Sequence, residues 1–376
     1  MKSNFKDTIC VHAGNQVNPF ESINTPIYTS TAFGYLDTEK RLYPRYFNAP
    51  NQQVLVDKLS ILEGSESGLI LSSGMAAIST VIFGLFSKGD HLIFQKGLYG
   101  GTINFILQDL ERFGVEYTIL QDNLADSYID SIRPNTKAIY IETPANPLLS
   151  IVDMTIISEI CRQRDLVSII DNTFASPINQ NPINFGIDIV IHSATKYLGG
   201  HSDISAGVVL SNKQYIDKIR KMALNLGGSL NSLTCYLLER SIKTLKVRIE
   251  KQNANAQQIA EFLFDHPSIT KVFYPGLPSH EGHEIARKQM SGYGGIVSFE
   301  TKNQDVSAFM RKLELIKPAL SLGGVESTIC DPYGTSHRHL TKEQKAKDGI
   351  SDNLLRFSVG IEDANDILSD LNNALM

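Results

Sequence analysis

The chain has 376 residues, 42% of them hydrophobic and 20% charged, with a formal net charge of −5. That balance describes an ordinary soluble globular protein of about two domains and leaves no electrostatic footprint for nucleic acid or an anionic membrane surface. No apolar run approaches the roughly 18–20 residues that span a bilayer. The first residues lack the apolar core of a secretory signal, and Cys10, Cys161, Cys235 and Cys330 are scattered without a C-x-x-C pair. Reduced thiols in a cytoplasmic enzyme are therefore expected, with no disulfide framework, no zinc site and no metal.

Residues 1–48 are rich in Pro, Asn and Tyr and show little periodicity. An ordered but irregular arm of this kind needs another surface to lie on, and a partner subunit is the natural candidate. Over residues 53–62 the apolar spacing Val54, Leu55, Leu59, Leu62 predicts a helix, with Gly64 as its stop. Strand and helix patterns then alternate. Strand 69–72 leads to a helix from Met75, and strand 91–94 to a helix near 103–113. Short Ile/Val-rich strands follow at 115–120, 138–142, 167–170 and 187–192, with a crossover helix at 156–164. The alternation predicts an α/β fold with a mainly parallel sheet covered on both faces. Beyond Gly200, strand 204–210 precedes long helical stretches, one over about 230–264. Segments 294–299 and 354–359 read as strands of a smaller α+β domain, giving an arm (1–48), a large domain (49–246) and a carboxyl domain (247–376).

The polar residues of interest gather at predicted strand ends. Lys196 follows the apolar strand 187–192 inside Ser193-Ala194-Thr195-Lys196-Tyr197-Leu198-Gly199-Gly200. A lysine is costly in such a half-buried place unless its amine is neutralised, paired or covalently engaged. It is either a Schiff-base nucleophile or a lysine capping a helix or meeting a carboxylate. Asp171 ends the apolar strand 167–170, 25 residues earlier, so both side chains belong at one sheet edge. Ser73-Gly74-Met75 is a strand–turn–helix junction whose free amides and helix dipole suit a phosphate. Tyr99, before Gly100-Gly101, could stack on a planar ligand, and Asn146 sits in a proline-stiffened loop. One cofactor uses this whole assortment. Pyridoxal phosphate needs an amine, a carboxylate at its ring nitrogen, donors for its phosphate and an aromatic cover.

With those motifs the chain resembles the Cys/Met-metabolism, or trans-sulfuration, family of pyridoxal-phosphate enzymes, which includes cystathionine and methionine γ-lyases and cystathionine γ-synthases. The likeness runs from Val11-His12-Ala13-Gly14 to Leu355-Arg356-Phe357-Ser358-Val359-Gly360. It implies the fold type I, aspartate-aminotransferase-like architecture and a homotetramer built as a dimer of dimers, with active sites shared between subunits. Matched by position, Lys196 resembles the Schiff-base lysine and Asp171 the pyridinium partner. Gly74, Met75, Ser193 and Thr195 resemble phosphate-binding positions. Tyr43 and Arg45 resemble the pair that reaches the phosphate of the neighbouring subunit, and Tyr99 the stacking tyrosine. Arg356 resembles the arginine that takes the substrate α-carboxylate, with Asn146 and Ser321 beside it.

The implied chemistry is elimination on a sulfur-containing amino acid of the γ-lyase type, with γ-replacement on an O-acylhomoserine or β-elimination as alternatives. Departures from the family bear on the substrate. Gly101 stands where methionine γ-lyases have cysteine, and Leu320 where cystathionine-handling relatives often have glutamate. Asn48-Ala49-Pro50 replaces the usual Asn-Pro, and Gly334-Thr335-Ser336-His337-Arg338-His339 replaces Met-Thr-His-Ala-Ser. His337 and His339 read better as exposed loop histidines than as a substrate or metal feature.

Overall fold

The computed structural model describes residues 5–15, 18, 20–302, 305–338 and 341–376. The larger sheet uses β1 (Ser67–Leu71), β2 (His91–Phe94), β3 (Glu116–Ile119), β4 (Thr136–Glu142), β5 (Val167–Asp171), β6 (Ile189–Ser193) and β7 (Gly207–Ser211). Their spatial order is β1-β7-β6-β5-β4-β2-β3. The run from β6 to β3 is parallel, while β7 lies antiparallel to both of its neighbours. Why these strands read as apolar runs is clear from the two layers that cover them. Ile139, Ile141, Ile170 and Val190 enter one layer, and Ala138, Tyr140, Ile169, Ile189 and Ile191 the other. With both faces buried, the central strands are largely apolar on both sides instead of alternating; Ser168 in β5 is an exception, its hydroxyl donating to Asp188 at 2.7 Å.

Helix Pro50–Glu63 ends as expected at Gly64, in the left-handed conformation (φ +82°). The single helix expected over 230–264 is instead two, Ser232–Ile242 and Leu245–Asp265. Thr244 leaves the helical region at φ −107°, ψ 7°, and its hydroxyl donates to Ser241 O at 3.2 Å. A β-branched hydroxyl residue competes for backbone acceptors in this way, so the apolar periodicity runs through a real break.

The smaller sheet contains β8 (Ile269–Phe273), β9 (Ile296–Thr301), β10 (Lys317–Pro318), β11 (Thr328–Cys330) and β12 (Leu354–Ser358), ordered β10-β11-β12-β9-β8. Its apolar face, with Val297, Phe299, Leu355 and Phe357, packs on Ile259 and Leu263 of helix Leu245–Asp265 and on Ile367 and Leu371. The amino-terminal arm departs from the expected irregularity by opening with a short helix, Lys6–His12, that buries Ile9 and Cys10; beyond it the arm leaves Phe20, Ile23 and Leu36 between 82% and 89% exposed.

Candidate active site

In an open parallel sheet, strand carboxyl ends are where functional groups converge. β4, β5 and β6 end side by side there, with Glu142 opposite Asp171 and Asp171 opposite Ile191. Asp171 is 6% exposed and accepts bonds from the Thr173 amide and hydroxyl. Burial raises its pKa, while the Thr173 bonds and the nearby His192 pull the other way. It has no ion-pair partner among the described residues. The Ser193 amide donates to Thr173 Oγ1 at 2.8 Å, tying the ends of β5 and β6 together.

Helix Gly74–Leu85 points its amino terminus at the same edge, capped by Ser73 Oγ, which accepts from the Ala76 amide at 3.0 Å. A Cβ on Gly74 would lie 2.8 Å from Ser193 Cβ, so only glycine lets the turn approach β6 this closely. The Gly74 and Met75 amides have no intrahelical partner and sit at the positive end of the helix dipole. Thr195 is at the same edge, but its hydroxyl exchanges both of its bonds with the Ala206 backbone.

Lys196 lies on the loop after β6 and donates from Nζ to Ser321 Oγ at 2.8 Å. Burial, reinforced by the Arg356 guanidinium, pushes its amine down to about 8. Ser321 holds φ at +79°, a left-handed conformation that costs a non-glycine residue strain. The loop is braced from the other side by Arg248, which is 4% exposed. Arg248 donates to Tyr197 O at 2.9 Å, Ser241 O at 3.0 Å and Thr244 Oγ1 at 3.2 Å.

Arg356, on β12, donates from Nη1 to Asn146 Oδ1 at 3.0 Å and from Nη2 to Ser321 O at 2.9 Å. Its buried Nε has no partner within the protein, so the guanidinium keeps unused donor capacity. Tyr99 is 43% exposed and folds over Gly101, where a Cβ would come 2.4 Å from its ring. Its amide donates to Glu142 Oε2 at 2.8 Å, and the Asn146 amide to Glu142 Oε1 at 3.0 Å. Burial and the Asp171 carboxylate hold the Glu142 carboxyl well above the usual carboxylate range.

One expectation requires correction. His337 is not an exposed loop histidine but 4% exposed. Its loop turns inward, with the His337 amide bonded to Pro332 O at 3.0 Å, the imidazole to Ser336 Oγ and Ser336 O against Gly100. Burial, then Arg356 and Lys345, push the imidazole down to about 4, so it is neutral. His339 lies outside the described residues. No group of three or more His, Cys, Asp or Glu suited to a metal exists among the described residues.

The chain thus brings Gly74, Met75, Tyr99, Asn146, Asp171, Ser193, Lys196, Ser321 and Arg356 to one edge. Tyr43 and Arg45 are engaged elsewhere. The Tyr43 amide donates to Asn48 Oδ1, and Arg45 donates to Leu224 O at 2.8 Å while lying over the Tyr43 and Tyr46 rings. Residues that sequence reading passed over are Glu142, Thr173 and Arg248. Glu142 carried the same signal as Asp171, an acidic residue closing an apolar strand. The donor set fits pyridoxal phosphate on geometric grounds. An amine of lowered pKa, a buried carboxylate without a cation and a glycine-tight cradle of amides stand together.

A family model described as "Cys/Met metabolism PLP-dependent enzyme" matches residues 7–376. Cystathionine gamma-lyase of Bacillus subtilis (strain 168) is 41% identical, covering 98% of this chain and 99% of that protein. Cystathionine beta-lyase of Lactococcus lactis subsp. cremoris (strain MG1363) is 43% identical, covering 94% of each. A crystal structure of cystathionine gamma-lyase from Lactobacillus plantarum complexed with L-serine matches with TM-score 0.95 at 38% identity, covering 100% of this chain and 98% of that one. The chain belongs to the Cys/Met-metabolism family of pyridoxal-phosphate-dependent enzymes and has the fold type I architecture.

Proposed function

We propose that this enzyme carries out elimination on a sulfur-containing amino acid, of the γ-lyase type, releasing a 2-oxo acid, ammonia and a thiol. The observation that carries the reading is the pairing of Lys196 with Arg356 through Ser321, which accepts from Lys196 Nζ at its hydroxyl and from Arg356 at its carbonyl. Pyridoxal phosphate, when bound, supplies a carbonyl that condenses with amines and a ring that accepts the electron pair left at Cα. Gly74, Met75 and Ser193 hold its phosphate, joined by Thr195 once its hydroxyl is released from Ala206. Asp171 keeps the ring nitrogen protonated and Tyr99 covers the ring. Arg356, oriented by Asn146, grips the substrate α-carboxylate through a planar fork of donors. Lys196, its amine lowered to about 8, is partly neutral near physiological pH and takes the proton from Cα. The same amine would then take a proton from Cβ, whose electron pair forms the Cβ–Cγ double bond and expels the γ-substituent, while Tyr99 would give the departing group its proton.

The arm supports a further assignment. Its exposed Phe20, Ile23 and Leu36 call for an apolar cover, and Tyr43 and Arg45 bond to no phosphate-site residue of their own chain. We assign it to a homotetramer, a dimer of dimers, in which Tyr43 and Arg45 complete the neighbour's phosphate site.

A second reading, β-elimination, is favoured by the 43% identity to a cystathionine beta-lyase. Cystathionine separates the two. γ-Elimination yields cysteine, 2-oxobutanoate and ammonia; β-elimination yields homocysteine, pyruvate and ammonia. The γ-lyase reading expects 2-oxobutanoate as the main oxo acid. Pyruvate alone would replace it with the β-reading. Turnover seen only with an O-acylhomoserine plus cysteine or sulfide would make the protein a γ-replacement enzyme.

A further inference from the structure

Among the groups that the mechanism does not use, Glu142 makes the most consequential contacts. It ends β4 at 3% exposure, directly across the ladder from Asp171. A second carboxylate beside the first is electrostatically expensive and persists only where other bonds offset the repulsion. Here each oxygen is spoken for, one by the Tyr99 amide at 2.8 Å and the other by the Asn146 amide at 3.0 Å. Its backbone is held as firmly. The fully buried Gln95 accepts from the Glu142 amide at 2.9 Å and donates to the Glu142 carbonyl at 2.7 Å. Glu142 is thus a fixed strut to which two loops are tied.

Those loops do different jobs. One bears Tyr99, whose ring covers the cofactor in the reading above. The other bears Asn146, whose Oδ1 accepts from Arg356 Nη1 at 3.0 Å. We propose that Glu142 is a positioning residue that sets the aromatic cover and the substrate-carboxylate clamp in register through a single carboxylate. The inference rests on the roles assigned to Tyr99 and Arg356. Glutamine is the informative replacement: nearly the same size, it presents an NH₂ to one of two N–H donors, so one of the two bonds must break.

The test uses purified holoenzyme and the variants E142Q, N146A and E142Q/N146A, with visible circular dichroism of the bound cofactor and the spectrally determined Kd for glycine. Glycine carries the α-carboxylate but no leaving group, so its binding is independent of which elimination the enzyme performs. E142Q is expected to weaken glycine about tenfold, the worth of one buried hydrogen bond, and to change the visible dichroism. The double variant should bind glycine no worse than N146A alone, because Glu142 acts on Arg356 through Asn146. E142D keeps the carboxyl group and shortens the reach; it is expected to shift both readouts in the same direction and decides the matter should E142Q fail to fold. Wild-type dichroism and glycine affinity in the glutamate variants, or losses that multiply in the double variant, overturn the inference. A wild-type protein that binds glycine yet releases no oxo acid from any sulfur amino acid defeats the functional reading while leaving this test intact.

Discussion

Replacing Lys196 by methionine should abolish turnover and, at the same time, stabilise the apoprotein near neutral pH. In the folded chain the Lys196 amine is pushed from its ordinary 10.5 to about 8 by burial and by Arg356. At 1.36 kcal/mol per pH unit, that difference means the fold bears about 3 kcal/mol for holding an ammonium there at pH 7. Methionine removes that cost but also the 2.8 Å bond to Ser321, worth about 1 kcal/mol. Residual solvent contact screens the rest, leaving a net gain of about 1–2 kcal/mol. The sign has a pH signature. Between about 8 and 10.5 the unfolded chain keeps a proton that the folded chain gives up, so the wild type gains stability as pH rises and the variant's lead vanishes. Because the chain has no tryptophan, urea midpoints are best followed by far-ultraviolet circular dichroism, near pH 7 and again near pH 10. A variant less stable than wild type near pH 7, or a lead that does not narrow with pH, would refute the reasoning.

Ser321→Gly should relieve the strain of φ +79°, worth about 1 kcal/mol, while removing the hydroxyl that holds Lys196; an unchanged or raised Tm with turnover down about tenfold is the expected pair of results. Glu239→Gln strips the partner from Lys58, an ammonium buried at 0% exposure and bonded at 2.9 Å, and should cost about 3–5 kcal/mol in urea unfolding. Much of that loss should return when Lys58 is also replaced by methionine. The wild type should lose about 3 kcal/mol between pH 6.5 and pH 4, because the unfolded chain there takes up a proton that the buried His337, held down to about 4, refuses. Urea midpoints of His337→Asn should fall less over that window.

Burial was legible in the sequence wherever it was regular. The Ile/Val-rich segments of β4, β5 and β6 located the sheet, and Asp171 and Lys196 stood out because ionisable residues ending such segments are costly. Glu142 ended its run in the same way, yet the adjacent Thr143-Pro144-Ala145-Asn146-Pro147 loop suggested Asn146 as the ligand and drew attention from the carboxylate supporting it. Pattern reports burial; it does not report which amides a buried oxygen will meet. His337 failed for the converse reason, since a polar loop is buried only when distant partners such as Gly100, Lys345 and Arg356 are brought to it. The short strands β8, β10 and β11 leave too little periodicity to detect, because β8 is half exposed and the others span only two or three residues. The arm's opening helix docks on its own chain, with Lys6 donating to Pro177 O and Ile178 O, a contact across more than 170 residues that local periodicity does not record.

Arg248 has a mechanical consequence. It rises from helix Leu245–Asp265, whose far side supports the smaller sheet, and donates to Tyr197 O next to Lys196. Ser321, threaded between Lys196 and Arg356, makes a second tie to the same body. The Lys196 amine and the Arg356 guanidinium, proposed above as base and carboxylate clamp, are therefore linked across the two sheets. Lys196 itself stays with β6, Asp171 and the Gly74 turn, so any displacement of the smaller sheet against the larger one would strain the Lys196–Ser321 and Arg248–Tyr197 bonds first. The spacing between amine and guanidinium is thus set by how the two sheets dock and by neither sheet alone.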